Sequence, residues 1–153
     1  MGSFAGFIKG NAVLKAVGFD GRERNWNLSK CVISGDQTRP RSKLHILARK
    51  ILKEQFPYDT ILEEVPLVGS HKPSRKSTLY VDFLIPSHSL AVEVHGRQHF
   101  EFVAHFHGNR QGFRKSKARD RDKSNWLHNN DIQLIVLSYS GTEDEWRESI
   151  INR

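Results

Sequence analysis

Two acidic residues, Asp82 and Glu93, stand in neighbouring apolar segments at a spacing that can build a metal site. Asp82 opens the run Asp-Phe-Leu-Ile-Pro, and Glu93 follows eleven residues later inside another apolar run. If these segments are adjacent strands, the carboxylates lie close together and repel each other unless a cation neutralises them. Such a pair suits Mg²⁺, which completes its coordination with water and phosphate and can activate an attacking water. The alternative is structural, with Asp82 capping a turn and Glu93 paired with an arginine.

A turn that contains two histidines follows the second apolar run. His95 and His99 flank Gly96 in the sequence His-Gly-Arg-Gln-His-Phe. Imidazole titrates near neutral pH, so His99 is a candidate general acid or base, and Gly96 is expected to allow a tight backbone turn. A lone histidine is more often an ordinary surface or core residue, but the acidic pair nearby favours a functional role. His105 and His107 form a His-x-His pair that is weak support for a metal site, and we interpret them as loop residues near DNA.

The charge of the chain favours a polyanionic partner. The 153 residues include 24 Lys and Arg against 17 Asp and Glu, which gives a net charge of +7. A basic domain attracts nucleic acid through its summed field, although basic proteins without such a partner have the same balance. The single cysteine, Cys31, excludes a disulfide framework or a multi-cysteine zinc site within these residues. The composition therefore suits a reducing, cytoplasmic compartment, and no apolar run is long enough to span a membrane.

The hydrophobic pattern predicts a single α/β domain over residues 38–153. Helical periodicity and capping residues predict helices that begin near Pro40–Ser42, near Gly112 and after Thr142. Short apolar runs predict strands at 61–65, 79–85, 90–94 and 132–139. The order helix, strand, strand, strand, helix, strand, helix is typical of a central mixed β-sheet flanked by helices.

Residues 1–37 have weaker periodicity and form a separate N-terminal extension in this interpretation. They are rich in glycine, asparagine and basic residues, and are expected to form loops or a short hairpin. Two alternatives stay open for them. They could be a basic arm that contacts DNA, using residues such as Lys9 and Arg22, or a structural wrap over the core.

The combined motifs resemble a known nuclease family. Val-Asp-Phe-Leu-Ile-Pro, Val-Glu-Val-His-Gly-Arg-Gln-His-Phe and the later Ala118-Arg119-Asp120 with Lys123 are similar to the very-short-patch-repair (Vsr-like) branch of the PD-(D/E)XK nucleases. The similarity is greatest to the phage EDxHD homing endonucleases of that branch. It covers about residues 40–139, and although each motif alone is common, their ordered combination is fairly specific.

The resemblance implies a role for each matching residue. Asp82 would be the principal metal ligand, with Glu93 and the Val94 carbonyl as further ligands. His95 stands where many members of the superfamily have lysine. His99 matches the catalytic histidine, and Asp120, rather than Asp122, matches the acid that orients it or a water.

One departure from the family pattern concerns the first helix. The family usually carries a glutamate there, whereas His45 occupies that register in this chain. His45 could take over the role, Glu54 or Glu64 could replace it, or the first acid could be dispensable. The number of metal ions therefore stays open.

Basic and polar residues around these positions are candidate DNA contacts. A charged helix face is usually only solvated, but beside a candidate metal site we favour contacts to phosphate. The predicted DNA-binding residues are Arg97, Gln98, Arg114, Lys115, Arg119 and Lys123.

These features predict a Mg²⁺-dependent endonuclease that hydrolyses double-stranded DNA, with Mn²⁺ as a substitute ion. A free-standing phage-type homing endonuclease in the cytoplasm of an infected or bacterial cell is the leading interpretation, and dimerisation would extend its reach on DNA. Three alternatives are a mismatch-nicking repair endonuclease, a junction resolvase, and a non-catalytic DNA-binding module on a nuclease fold. The structural zinc common in the repair enzymes is not expected here, because only Cys31 could supply sulfur.

Overall fold

A computed structural model describes residues 13–34 and 41–153, and the predictions for Lys9 and the other residues of 1–12 lie outside this range. The strands are β1 (Val13–Val17), β2 (Glu23–Asn27), β3 (Val32–Ile33), β4 (Leu62–Leu67), β5 (Leu79–Ile85), β6 (Leu90–His95) and β7 (Gln133–Ser138). The helices are α1 (Lys43–Gln55), α2 (Ala104–His107), α3 (Arg110–Asn129) and α4 (Glu143–Ile151). Short 3₁₀ turns cover Pro86–His88 and Arg97–His99.

The central sheet is mixed and has the strand order β3-β4-β5-β6-β7. Strands β3 to β6 pair antiparallel, and β6 pairs parallel with β7. The parallel pair is joined by α3, as parallel neighbours require a long crossover connection. The prediction of an α/β fold with a mixed sheet flanked by helices is therefore confirmed.

The two faces of the sheet carry different layers. Helices α1 and α4 cover one face, and their buried residues, among them Ile51 and Trp146, pack with Phe83 of β5 in a core that we call the α1-side core. Helix α3 and the β1–β2 hairpin cover the other face, where Trp26 and Trp126 meet edge to face at 5.0 Å in the hairpin-side core.

Local sequence explains where the helices begin. The side chain of Ser42 accepts a hydrogen bond from the backbone N–H of His45 at 3.1 Å, and Thr142 forms a capping box with Glu145. These caps satisfy N–H groups that have no partner within the helix. Both starts agree with the prediction, whereas α2 is an additional single turn that the sequence pattern did not indicate.

The predicted hairpin in the N-terminal extension is present as β1 and β2. It packs closely on the sheet, because Trp26 is 2 % exposed and Asn130 at the end of α3 bonds the backbone of Val17 in both directions. Residues of this hairpin thus share a core with β4, β5 and α3. This packing supports the structural-wrap alternative for residues 13–28, while a role in DNA contact stays a prediction.

Strand β5 changes its regular alternation at Asp82. Val81 packs into the hairpin-side core, whereas Phe83, two residues later, packs into the α1-side core. Regular strands place residues two apart on the same face, so the alternation of faces is interrupted at Asp82, although the register with β4 is the same on both sides of it. The residue across on β4, Glu64, has a φ of 50°, which is unusual for a residue with a side chain.

No helix in residues 13–34 and 41–153 is both long and apolar enough to cross a membrane.

Candidate metal and acid–base site

The site begins where β5 and β6 separate. Their ladder runs from Ile85 opposite Leu90 to Phe83 opposite Val92 and stops there. One residue further, the Glu93 carboxylate accepts a hydrogen bond from the N–H of Asp82 at 3.0 Å, and the Asp82 carboxylate accepts one from the N–H of Val94 at 2.8 Å. Two side chains therefore replace the backbone pairing, and both carboxylates lie in the gap between the strands.

Glu93 is a buried acid with too little positive charge around it. It is 2 % exposed, and its one ion pair within residues 13–34 and 41–153 is with Lys123 of α3, whose ammonium lies 2.7 Å away. Burial and the neighbouring Asp82 raise the pKa of Glu93 to about 8, and Lys123 offsets only part of this. Two crowded carboxylates with one lysine would be stabilised by a further cation.

The Val94 carbonyl completes an oxygen-rich set. In an antiparallel strand, the N–H and C=O of one residue point to the same side. Since the N–H of Val94 donates to Asp82, its carbonyl also faces the gap. Asp82, Glu93 and Val94 together offer oxygen ligands, which is the donor set that Mg²⁺ prefers, and the three residues fit such an ion.

A histidine–aspartate pair stands beside the carboxylates. His99 lies in the 3₁₀ turn after β6, and its Nδ1 is 2.9 Å from Oδ2 of Asp120 on α3. Burial disfavours ionisation of Asp120, but its hydrogen bond to His99 and the nearby positive charge, including Lys123, together lower the pKa of the carboxyl. The aspartate fixes the orientation of the ring and leaves Nε2 of His99 free to exchange a proton with a bound molecule.

His95 stacks directly on His99. Their ring centroids are 4.0 Å apart and the rings are inclined by only 10°. Burial and the adjacent His99 lower the pKa of His95 to about 4, so this ring is neutral at pH 7. The charges of Asp82, Asp120 and Lys123 also act on His95, which places all these groups in one cluster at the end of β6.

Asp122 has a different environment from Asp120, although it lies only two residues further along α3. Its carboxylate binds Lys72 at 2.8 Å and Arg75 at 3.1 Å, both from the β4–β5 loop. Asp122 thus anchors this basic loop to the helix. The structure brings Asp120, and not Asp122, to His99, as the resemblance implied.

The structure places His45 in a separate cluster on the α1 side of the sheet. Its Nε2 is 2.7 Å from Glu63, which Arg49 also binds through two hydrogen bonds, and its ring stacks on Phe83. Among the described interactions, none joins His45 to Asp82 or Glu93. The replacement of the first-helix acid by His45 therefore stays a prediction without a supporting contact. Of the two proposed substitutes, Glu64 pairs with Arg41 and Glu54 with Arg147.

Most of the predicted DNA-binding residues are exposed, but Lys123 is not. Arg114, Lys115 and Arg119 lie exposed on α3, and Arg97 is exposed and pairs with Glu101 at 3.0 Å. The Lys123 side chain is 19 % exposed and bound to Glu93. It therefore belongs to the candidate site and not to a free basic surface.

The role of Gly96 differs from the prediction. Its φ is −75°, which any residue adopts, so the turn does not require the conformational freedom of glycine. A Cβ at this position would instead lie 2.6 Å from Oε1 of Gln98. A side chain at position 96 would therefore require the flexible end of Gln98, a predicted DNA contact that is half-buried here, to move aside.

The sequence interpretation missed two features of this region. Lys123 lies three residues after Asp120, so helical spacing alone places both on one face of α3 and could have indicated its role. His107 accepts a hydrogen bond from the N–H of Val103 at 3.0 Å and packs against Phe102 and Phe113, so it has a structural role that the His-x-His pattern did not reveal. The side chain of His105 lies outside the described part of the chain.

Comparisons with known proteins find viral relatives of unknown activity. The chain is 37 % identical over 62 residues to "Uncharacterized protein 307L" of Invertebrate iridescent virus 6, a match that covers 40 % of this chain and 32 % of that protein. It is 32 % identical over 68 residues to "Uncharacterized protein 033L" of Invertebrate iridescent virus 3, covering 44 % and 35 %. It is 35 % identical over 79 residues to "Uncharacterized protein 094L" of Frog virus 3, covering 51 % of each.

The chain thus spans between about a third and a half of the length of these curated relatives. No protein-family model matches it, and no solved structure matches it.

Proposed function

We propose that this chain is a metal-dependent endonuclease that hydrolyses phosphodiester bonds in double-stranded DNA. The observation that carries the proposal is the pair of carboxylates, Asp82 and Glu93, held together where β5 and β6 separate. Burying Glu93 against the half-buried Asp82, with Lys123 as its described cationic partner, is costly unless a further cation binds there. An ordinary structural role would favour two basic partners, such as those that surround Glu63.

Asp82, Glu93 and the Val94 carbonyl would hold Mg²⁺ or Mn²⁺. Such an ion neutralises charge on a scissile phosphate and lowers the pKa of a bound water. The chain's own residues supply the rest of the chemistry. His99 is positioned by Asp120 to take a proton from the attacking water, and His95, a neutral imidazole, stacks on the face of that ring.

The exposed basic residues Arg114, Lys115 and Arg119 would bind the DNA backbone beside this site. The net charge of +7 supports a polyanionic substrate. A homing endonuclease is the more specific form of the proposal, and its viral setting rests on the three viral relatives.

The test is cleavage of supercoiled plasmid by wild type and by Asp82→Asn, each with Mg²⁺, Mn²⁺ or EDTA. We expect metal-dependent nicking or linearisation that the substitution abolishes. Asp144→Asn is the matched control, because Asp144 is 94 % exposed on α4 at the opposite face of the sheet. Cleavage that Asp82→Asn retains in full would refute the proposal.

The same experiment separates the alternatives. Cleavage restricted to mismatched duplexes would identify a repair-type nickase, and cleavage restricted to four-way junctions a resolvase. DNA binding in EDTA with no cleavage of any of these substrates would identify a non-catalytic binding module.

A further inference from the structure

We propose that His95, His99 and Asp120 form a second cation site, which selects borderline first-row ions such as Zn²⁺ and Co²⁺. One potential ligand atom from each residue lies within 4.8 Å of the other two. The three residues come from the end of β6, the following turn and α3, so the tertiary structure, not one local motif, brings them together.

The ligand chemistry sets this site apart from the Asp82–Glu93 pair. Imidazole nitrogen is a preferred ligand for Zn²⁺, Co²⁺ and Ni²⁺, whereas Mg²⁺ favours oxygen. Two histidines with one carboxylate are a common zinc set that leaves a position for water. The neighbouring set of Asp82, Glu93 and the Val94 carbonyl contains oxygen only. Two candidate cation sites, one with mainly nitrogen ligands and one with oxygen ligands, therefore lie at the same end of β6.

Binding is accessible from solvent but requires the two stacked rings to reorient. The side chains of His99 and Asp120 are 20 % and 17 % exposed, so an ion can reach them from solvent. Ligand atoms around a tetrahedral zinc ion lie about 3.3 Å apart, as follows from the usual zinc–nitrogen distance. The ligand atoms, which lie within 4.8 Å of one another, must therefore approach by up to about 1.5 Å. Because an imidazole nitrogen binds a metal in the plane of its ring, the two parallel rings must also rotate out of their stack to converge on one ion.

A bound ion would also affect the proposed nuclease, and this second step rests on the proposed function. An ion at this site occupies His99 and Asp120, which the proposed hydrolysis needs for proton transfer. We therefore expect Zn²⁺ to inhibit Mg²⁺-dependent cleavage by wild type, with full recovery after a zinc-selective chelator is added.

The binding test does not depend on cleavage. Co²⁺ is titrated into the untagged full chain in metal-free buffer, and its visible absorption bands report coordination by nitrogen; Zn²⁺, which is colourless, is then added as competitor. We expect one Co²⁺ per chain, displaced by Zn²⁺. His95→Ala should weaken binding at least tenfold, whereas Asp82→Asn, which removes a nearby charge but no ligand of this site, should weaken it far less. His99→Gln serves as a second variant, and circular dichroism checks that each variant folds.

The outcomes are distinct. No binding by wild type, or equal binding by wild type, His95→Ala and His99→Gln, would overturn the proposal and assign any bound ion to other histidines. Equal loss in Asp82→Asn would also overturn it, because the two sites would then be one. Specific Co²⁺ binding in a chain that cleaves no DNA would support the cation site while refuting the proposed nuclease function.

Discussion

Glu63 and Glu93 are both buried glutamates of the central sheet, but their surroundings are opposite. Glu63 is 0 % exposed and is bound by Arg49 and His45. Glu93 is 2 % exposed and faces Asp82, with Lys123 as its cationic partner. The pKa of Glu63 is lowered to about 2, because its hydrogen bonds to His45 and Arg49 outweigh burial, whereas burial and Asp82 raise the pKa of Glu93 to about 8.

This contrast separates a structural acid from a candidate functional one. A buried carboxylate that has its cations within the fold stabilises the protein once folded and needs no ligand. A buried carboxylate crowded by another acid lowers stability until a ligand arrives. Residues whose pKa values are shifted strongly by burial and by a neighbouring charge are common at functional sites. Substitutions at the two positions should therefore have opposite signatures.

The largest expected effect is on stability at Glu63. Glu63→Ala leaves Arg49 and His45 buried without their anion, and we expect it to reduce the free energy of unfolding by about 3–5 kcal/mol. Urea denaturation at pH 7 measures this. Glu148→Ala on the exposed face of α4 is the control and should change stability by less than about 0.5 kcal/mol. Equal effects of the two substitutions would contradict the structural role of Glu63.

The acid stability of the protein should depend on the same residue. Because the pKa of Glu63 is depressed from 4.5 to about 2 in the folded state, its stabilisation is complete above pH 4.5 and is lost as the pH falls towards 2. The shift corresponds to about 3 kcal/mol. Urea midpoints measured at pH 6, 4 and 3 should fall less steeply for Glu63→Gln than for wild type. Parallel curves for the two proteins would show that other carboxyl groups dominate acid unfolding.

Glu93 should show the reverse signature. Because the pKa of Glu93 is raised to about 8, the group is held largely uncharged at pH 7, and the amide of Glu93→Gln resembles that form. We therefore expect the free energy of unfolding in EDTA to change much less than it does for Glu63→Ala. Cleavage should nevertheless fall at least about 100-fold, equivalent to about 2.7 kcal/mol of transition-state stabilisation. Plasmid cleavage and urea denaturation of the same preparation measure both quantities. A large loss of stability with cleavage retained would mean that Glu93, like Glu63, is structural.

The smallest expected effect concerns charges that lie outside both clusters. Arg119→Ala removes an exposed basic residue of α3, and we expect DNA affinity to fall a few-fold and the slope of log K against log salt to decrease by about one. Binding is measured in EDTA by fluorescence anisotropy, with Asp82→Asn as the common background. Lys53→Ala on α1 is the control on the opposite face of the sheet. If both substitutions change the slope equally, α3 does not form the DNA-binding face.

The sequence was informative for the site wherever spacing along one element was sufficient. Strand β5 was predicted with its observed limits, and the eleven-residue interval from Asp82 to Glu93 across a tight turn indicated that the two carboxylates are neighbours. The partners of Lys123 and His45 were not predictable in the same way. Each lies on a helix whose rotation against the sheet depends on contacts distant in sequence, so exposure on DNA and burial against an acid were equally consistent with the local pattern.

The sequence by itself determined the order of the elements and the types of residue at the ends of β5 and β6, because hydrophobic periodicity and capping are local properties. Only the tertiary structure decided which charges neutralise which. Strand register puts Glu63 and Glu93 in layers on opposite faces of the sheet, and helix packing supplies Arg49 and His45 to the first and Lys123 to the second. That difference arises from long-range packing, since electrostatic energies depend on distance and burial and not on separation along the chain.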